Sequence, residues 1–193
     1  MISQERCAIG GVVGPLAFVG AWAAGAVVNH DLSPVHDAIS RLAAVGATTR
    51  PLMTAGFVVF GSALPVYAWA LRRHVGGPAW ITAALTGLST LGVAATPLDK
   101  STSIDTLHAV FAGAGYLTLA ATPLLAVRPL RAVGRSRLAG LGLVTGAVSA
   151  VSLGLSLSGL PAGLFQRLGL TSSDIWIVAS ALTMLRCERP PSG

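Results

Sequence analysis

The sequence predicts an all-α integral membrane protein, a bundle of six transmembrane helices with a short amphipathic helix in its first extracytoplasmic loop. Two features of the composition predict this class: 53% of the 193 residues are hydrophobic and only 10% are charged. Soluble domains carry roughly 25% charged residues. Membrane-spanning segments carry far fewer, because an ionised side chain in hydrocarbon costs about 2.5–3.5 kcal/mol. The chain length suits one helical bundle, so we expect a single domain over residues 1–193.

Six apolar stretches are each long enough to cross a hydrocarbon core of about 30 Å at about 1.5 Å per residue. They are residues 8–28, 52–71, 79–98, 107–127, 138–157 and 168–185. The first stretch is longer than the apolar part of a cleaved signal peptide, and no net positive charge precedes it. We therefore expect the first stretch to remain as a transmembrane helix.

The distribution of Lys and Arg predicts that both termini lie in the cytoplasm. With this orientation, nine of the 13 cations are cytoplasmic and four are extracytoplasmic. Cytoplasmic loops carry the excess of cations in membrane proteins, so the count favours an N-in, C-in protein of the plasma (inner) membrane. The basic residues lie in short clusters at the ends of apolar runs, so we expect no nucleic-acid partner.

Helix five carries a ridge of small residues, Gly142, Gly146, Ala150 and Gly154, at every fourth position. Small residues allow two helix backbones to approach closely in a membrane. The ridge is either the contact face of a homodimer or a face that packs against neighbouring helices of the same chain.

The loop after helix one is too long for a tight turn. Ser33 followed by Pro34 is typical of an N-cap with proline at the first helical position, and it predicts a short helix that lies on the membrane surface as a lid. The polar side of this helix would carry Asp37, Ser40 and Arg41. Asp37 and Arg41 are four residues apart, so a simple helical ion pair is the alternative to a role in a site.

The predicted extracytoplasmic side holds all five aspartates and three of the four histidines. Asp105 and His108 are three residues apart at the start of helix four, so the carboxylate would orient the imidazole and raise its basicity. The alternative is a capping box over residues 102–105, in which Asp105 binds backbone amides.

Asp174 precedes an apolar run of only eleven residues, which is about 16 Å of helix. Helix six is therefore expected to start near Leu168, which would place Asp174 in the outer leaflet and predict a functional carboxyl that faces protein or water. The alternative is a cap that begins at Thr171 and needs a kinked or re-entrant segment before it. No ionisable residue lies near the middle of a predicted span, which argues against a proton-coupled transporter.

The sequence predicts no cofactor. His36, Asp105, His108 and Asp174 carry groups that bind divalent metals, but no pair of them has a diagnostic ligand spacing. The motifs GxSxG, HExxH and CxxC and the Walker loop of soluble enzymes are absent from the sequence.

Five short motifs together resemble a known family. They are Gly-Gly-Val-Val-Gly-Pro at residues 10–15, Asp-Ala-Ile-Ser-Arg-Leu at 37–42, Pro-Leu-Asp at 97–99, Leu-His at 107–108 and Asp-Ile-Trp at 174–176. In these the chain is similar to the small bacterial membrane proteins catalogued as domain of unknown function nine-nine-eight. The resemblance covers nearly the whole chain and implies a six-helix fold with an outward-facing polar site. It implies no substrate.

Two classes of function remain open. The first is an intramembrane acid–base enzyme that acts on a lipid or isoprenoid by hydrolysis, isomerisation or cyclisation. Its candidate catalytic residues are Asp174 as the acid, His108 as the base, Asp105 and Asp37, and its candidate substrate-binding residues are Arg41, Ser40, Arg167, Asp99 and Trp176. Arg41 or Arg167 would hold an anionic headgroup, although Arg41 stands where the family resemblance implies an acidic residue.

The second class is a non-catalytic binding or accessory subunit, whose polar residues are helix caps and contacts with membrane lipids. A small transporter is a less favoured third possibility.

Overall fold

The computed structural model describes the backbone of residues 4–187 and the side chains of residues 7–186. The chain forms six α-helices, which are α1 (Gln4–Val28), α2 (Arg50–His74), α3 (Ala79–Ala95), α4 (Thr102–Ala132), α5 (Ser136–Ser156) and α6 (Ala162–Cys187). A 3₁₀ helix, Ile39–Ala43, lies in the loop between α1 and α2. No β-strand occurs in the described part of the chain, which confirms the all-α class.

Five of the helices are long and apolar enough to cross a membrane, and α3 is the shorter one with 17 residues. At about 1.5 Å per residue α3 extends about 26 Å, a few ångströms less than the thickness of a typical hydrocarbon core. The structure therefore confirms a multi-pass membrane protein, and the crossing of the bilayer by α3 stays a prediction.

The expected start of helix six is wrong. We expected it near Leu168, but α6 begins at Ala162, directly after Pro161. Gln166 and Arg167 are polar and interrupt the apolar pattern of the first two turns of α6, so the apolar run begins only at Leu168. Both side chains bind the loop between α1 and α2, so their polar groups are satisfied by the protein.

Each helix packs against the next one along the chain, and α6 packs back on α1 and closes the bundle. α6 also contacts α4, whereas α5 packs on the outside of α4 and α6. The interior is therefore surrounded by α1, α2, α3, α4 and α6. We call the end of the bundle formed by residues 29–49, 96–101 and 157–161 the loop-one end.

Small and hydroxylated side chains hold α3 against its two neighbours. A Cβ atom added to Gly87 of α3 would lie 2.7 Å from the carbonyl oxygen of Gly61 in α2, so glycine permits this close approach. On the other side of α3, Thr86 Oγ1 donates a hydrogen bond to Thr118 Oγ1 of α4 at 2.9 Å. Close packing and hydrogen bonds between hydroxyl groups hold helices together in a membrane, where the lipid chains are as apolar as the side chains.

The ridge on α5 is divided between two environments. Gly142 packs on Trp176 of α6 and on α4, and Gly146 packs on Leu124 of α4. Gly154 has open space in front of it, and Ala150 is exposed. The inner half of the ridge therefore packs within the chain and is covered, so the ridge as a whole cannot serve as one dimer face. Homodimer formation itself stays a prediction.

The helix predicted in the first loop is shorter and begins later than expected. Ser33 Oγ accepts a hydrogen bond from the backbone N–H of His36 at 3.3 Å, as an N-cap does, but the chain continues as a turn. The 3₁₀ helix begins at Ile39, and it buries Ile39 and Leu42 against the bundle. The expected amphipathic character therefore holds for five residues only.

Candidate functional site

Loop one, residues 29–49, is fastened to the first turns of α6. Arg167 Nη1 donates hydrogen bonds to the carbonyl oxygens of Pro34 at 2.6 Å and of Asp37 at 3.0 Å. Gln166 Oε1 accepts a hydrogen bond from the backbone N–H of Ile39 at 3.1 Å. Arg167 thus holds loop one over the bundle, and a bound anion would have to compete with these carbonyl groups for its guanidinium.

Asp37 and Arg41 do not form the ion pair that their spacing allowed. Asp37 Oδ2 accepts a hydrogen bond from the backbone N–H of Ser33 at 2.7 Å, so it stabilises the turn. Arg41 Nη1 lies 3.0 Å from Asp99 Oδ1, and the two side chains are 43% and 47% exposed. An ion pair this exposed contributes about 0–1 kcal/mol and links loop one to the segment after α3.

The expectation that Asp105 orients His108 is wrong. Asp105 Oδ1 accepts a hydrogen bond from the backbone N–H of Asp99 at 3.0 Å, and it thereby holds Asp99 in the left-handed region with φ = 63°. The N-cap of α4 is Ser101, whose Oγ accepts from the backbone N–H of Ile104 at 3.3 Å. Asp105 therefore binds a backbone amide, as the alternative of a capping box over residues 102–105 predicted. The N-cap itself is Ser101, one residue before that box.

His108 is a buried polar side chain near the loop-one end. It is 4% exposed, and its Nδ1 lies 2.6 Å from the carbonyl oxygen of Thr96. A carbonyl oxygen only accepts hydrogen bonds, so we assign the ring proton to Nδ1, which leaves the lone pair of the neutral imidazole on Nε2. Within the described residues Nε2 has no hydrogen-bond partner.

His108 lines a gap between the helices that we call the main cavity, and the empty space of about 500 Å³ measured there includes space open to the surroundings. Four of the chain's five phenylalanines line it together with Tyr116. The wall is formed by Phe18, Phe57, Phe60, Phe111, Tyr116, Val93, Leu119 and Leu170, with Ala112 and Gly115 as small residues and with Ile39, Ser40, Thr86, Thr90 and His108. A predominantly apolar, aromatic wall with a few polar groups is typical of sites for small molecules.

The main cavity has polar groups at both ends: Thr86 Oγ1 at the inner end donates a hydrogen bond to Thr118 Oγ1, whereas His108 Nε2 at the loop-one end has no partner among the described residues. Ser40 of loop one and His108 lie at the loop-one end, whereas Leu119 lies eleven residues further along α4. At about 1.5 Å per residue the cavity therefore extends about 16 Å along the helix axis. This shape fits an elongated molecule that carries one polar group at its outer end.

Asp174 is buried in the middle of the bundle and does not line the main cavity. It is residue 13 of the 26 in α6, is 3% exposed, and neither carboxyl oxygen has a partner in the described part of the chain. On either side of it, Gly169 packs on Ser149 of α5 and Trp176 Nε1 donates to Leu138 O of α5 at 3.2 Å. Gly169 and Trp176 thus lie on the face of α6 that contacts α5, and Asp174 lies on the opposite face, which also carries Ala181 beside Gly11 of α1.

The location of Asp174 corrects two expectations. It is neither at the end of a helix nor part of a cap at Thr171, because α6 begins at Ala162 and adds about 9 Å of helix before Leu168. The expectation that no ionisable group lies near the middle of a span is also wrong, because Asp174 is at the middle of α6. The sequence therefore no longer argues against a proton-coupled transporter.

Asp174 is expected to destabilise the fold, because a buried polar group without a partner costs about 1–3 kcal/mol. Replacing Asp174 with valine, an apolar residue of similar size, should raise the free energy of unfolding by about this amount. The measurement is thermal unfolding of the purified variant and the unmodified protein in one detergent.

The matched control is Ser180→Ala on the same helix. Ser180 Oγ lies 2.6 Å from the hydroxyl oxygen of Tyr67, so its loss should lower the melting temperature. If Asp174→Val lowers the melting temperature as Ser180→Ala does, the carboxyl has a stabilising partner and the prediction is wrong.

The structure brings together only part of the predicted site. Ser40 and His108 line the main cavity. At the loop-one end, Asp37 binds the backbone of a turn, and Arg41 forms an ion pair with Asp99. The remaining candidates lie elsewhere: Asp105 holds the segment before α4, Arg167 holds loop one, and Trp176 is fully buried between α6 and α5.

The aromatic residues of the main cavity were missed by sequence reasoning, which followed charged groups. A signal was present, because Phe57 and Phe60 lie three residues apart on α2, and the small residues Ala112 and Gly115 lie between Phe111 and Tyr116 on α4. Such residues on helix faces are also typical of ordinary packing, so the pattern alone does not distinguish a cavity wall from a filled core.

Comparison with known proteins gives one match. The model of the family described as "Protein of unknown function (DUF998)" matches residues 12–183, which is most of the chain, and confirms the resemblance noted in the motifs. No curated protein and no solved structure matches the chain.

Proposed function

The chain belongs to the DUF998 family of proteins of unknown function, and we propose that it binds an amphipathic lipid-like or isoprenoid-like molecule in the main cavity. The observation that carries this proposal is the buried, unpartnered Nε2 of His108 at one end of an aromatic-lined cavity. A buried acceptor without a partner costs free energy, and a ligand that donates a hydrogen bond to it recovers that cost. The remaining wall takes up the apolar chain of the same molecule.

The proposed ligand carries a neutral hydrogen-bond donor, such as a hydroxyl group. Nε2 of the neutral ring accepts and does not donate. The two arginines that we expected to bind an anionic headgroup are engaged, Arg41 with Asp99 and Arg167 with backbone carbonyls. An alcohol therefore suits the cavity better than a carboxylate or a phosphate ester.

The loop-one end faces the outside of the plasma membrane in this proposal, with both termini cytoplasmic. The support is the unequal distribution of Lys and Arg between the two ends of the bundle. The ligand's polar group would thus lie under loop one, near the outer surface of the membrane.

A second candidate function is an acid–base enzyme that acts on the same molecule, by hydrolysis, isomerisation or cyclisation. The observation that favours it is the bond from His108 Nδ1 to Thr96 O, since an imidazole held in one tautomer is the arrangement that a general base needs. Asp37, Asp105 and Asp174 are outside the cavity wall, so the described residues offer this base no carboxyl acid within the cavity. Binding is for this reason our first proposal.

The test of binding uses a photoreactive isoprenoid alcohol and the purified protein in lipid nanodiscs, with the labelled residues identified by mass spectrometry. We expect labels on residues of the main cavity wall. Ala112→Phe should abolish the labelling, because this side chain would fill the cavity, and Ala114→Phe should leave it unchanged, because Ala114 is exposed on the outside of α4.

Two results would contradict the proposal. One is labelling that persists in Ala112→Phe while the variant unfolds at the same temperature as the unmodified protein. The other is stronger labelling by the corresponding phosphate ester than by the alcohol, which would show that the site selects an anion. Conversion of the alcohol into a product during incubation would favour the enzyme candidate.

A further inference from the structure

Two arginines at the end of α2 remote from loop one lie on tryptophan rings. Arg72 Cζ lies 5.8 Å from the centroid of the Trp69 ring and 4.8 Å from that of the Trp80 ring. Arg73 Cζ lies 5.1 Å from the Trp69 centroid. A guanidinium within about 6 Å of a ring centroid is held there by a cation–π interaction. We call these four residues the tryptophan–arginine cluster.

A tight turn between α2 and α3 brings the cluster together. Gly76 and Gly77 have φ angles of 72° and 65°, which glycine adopts without strain. A Cβ atom added to Gly77 would lie 2.6 Å from Cγ of Pro129, so the turn also packs on α4. The turn therefore fixes Trp80, in the first turn of α3, beside Arg72 in the last turn of α2.

The cluster has no anionic partner within the described residues. Four of the aspartates lie at or near the loop-one end and Asp174 lies in the middle of α6, whereas the side chains of Glu5 and Glu188 are outside the described part of the chain. The one ion pair among the described residues joins Arg41 and Asp99. The positive charge of the cluster is therefore balanced by no described carboxylate.

The two guanidinium groups can still bind an anion. Stacking on a ring occupies the face of a guanidinium and leaves the N–H groups at its edge, which fit two oxygens of a phosphate group. Arg72 and Arg73 are both exposed. At the loop-one end the corresponding arginines are engaged, Arg41 by Asp99 and Arg167 by backbone carbonyls. The anion site that the sequence led us to expect at loop one therefore has better candidates at the other end of the bundle.

The cluster lies on a side of α2 that faces lipid. Trp69 is 47% exposed, and the apolar residues Val58 and Val66 earlier on this side of the helix are each 45% exposed. Tryptophan is enriched at the depth where lipid headgroups meet the hydrocarbon core. A phospholipid whose chains lie along this side of α2 would therefore have its headgroup beside Arg72 and Arg73.

We propose that the tryptophan–arginine cluster binds the phosphate group of an anionic phospholipid in the leaflet at this end of the bundle. Two adjacent guanidinium groups favour a lipid with net negative charge, because the cationic group of a zwitterionic lipid would lie beside them. The site is separate from the main cavity, and the proposal does not depend on the binding function proposed above.

The test counts the lipids bound to the intact purified protein by native mass spectrometry, during titration with phosphatidylglycerol or phosphatidylcholine in one detergent. We expect phosphatidylglycerol to bind more tightly. Arg72→Gln should weaken its binding by about fivefold, the effect of one cation near a membrane surface. Trp69→Leu should weaken it as well, although every positive charge remains, because Arg72 and Arg73 lose the ring that orients them.

The matched control is Arg137→Gln, since Arg137 is exposed at the start of α5, at the same end of the bundle but outside the cluster. It removes the same charge and should leave phosphatidylglycerol binding unchanged. An equal loss in Arg72→Gln and Arg137→Gln would overturn the proposal, because it indicates attraction by overall charge. Full binding in Trp69→Leu, or equal binding of the two lipids by the unmodified protein, would overturn it too.

Discussion

Replacing His108 with leucine is expected to weaken binding of the isoprenoid alcohol by about ten- to a hundredfold, because the ligand's hydroxyl group would be buried without an acceptor. Leucine keeps most of the apolar volume of the imidazole ring but cannot accept a hydrogen bond. Binding is measured by competition with the photoreactive alcohol in nanodiscs. Unfolding temperatures show whether loss of the bond to Thr96 O alters the fold.

The hydrogen bond itself is isolated by comparing the alcohol with its methyl ether, which has the same chain but no donor. The unmodified protein should prefer the alcohol, and His108→Leu should bind the alcohol and the ether equally. His74→Leu is the matched control, since His74 lies at the end of α2 remote from loop one and should keep the preference. An unchanged preference for the alcohol in His108→Leu would show that another group binds the hydroxyl.

Replacing Gly87 with alanine is expected to destabilise the fold by about 1–3 kcal/mol, since the added methyl group has no room. Its Cβ would lie 2.5 Å from Cδ of the Pro65 ring and 2.7 Å from the carbonyl oxygen of Gly61. Both are parts of α2 that cannot rotate away, so α2 and α3 would have to separate. Thr86 and Thr90 of α3 line the main cavity, and alcohol binding should therefore fall as well.

The matched control for this substitution is Gly113→Ala on α4, where an added Cβ meets no atom within 4 Å. Alanine favours a helix over glycine by up to about 1 kcal/mol, so this variant should unfold at the same or a slightly higher temperature. Equal melting temperatures for the two variants would mean that α2 and α3 are packed less closely than their glycines indicate.

The sequence by itself determined the class of the protein and most helix boundaries. Apolar stretches and the scarcity of charge are local properties, and each helix satisfies its own backbone hydrogen bonds, as a membrane requires. The prediction was wrong at α6, where Gln166 and Arg167 interrupt the apolar pattern. Their polar groups bind loop one, a contact between parts of the chain that are far apart in sequence.

The candidate site depended on tertiary structure to a greater extent. Spacing placed Asp105 and His108 on the same side of α4, but their partners are Asp99 N and Thr96 O, which lie on the segment before the helix. Whether an aromatic side chain fills a core or borders a cavity depends on the gaps between helices, which no single helix specifies. Only the packing of α1, α2, α3, α4 and α6 leaves a cavity beside His108, and only the early start of α6 buries Asp174 in the middle of the bundle.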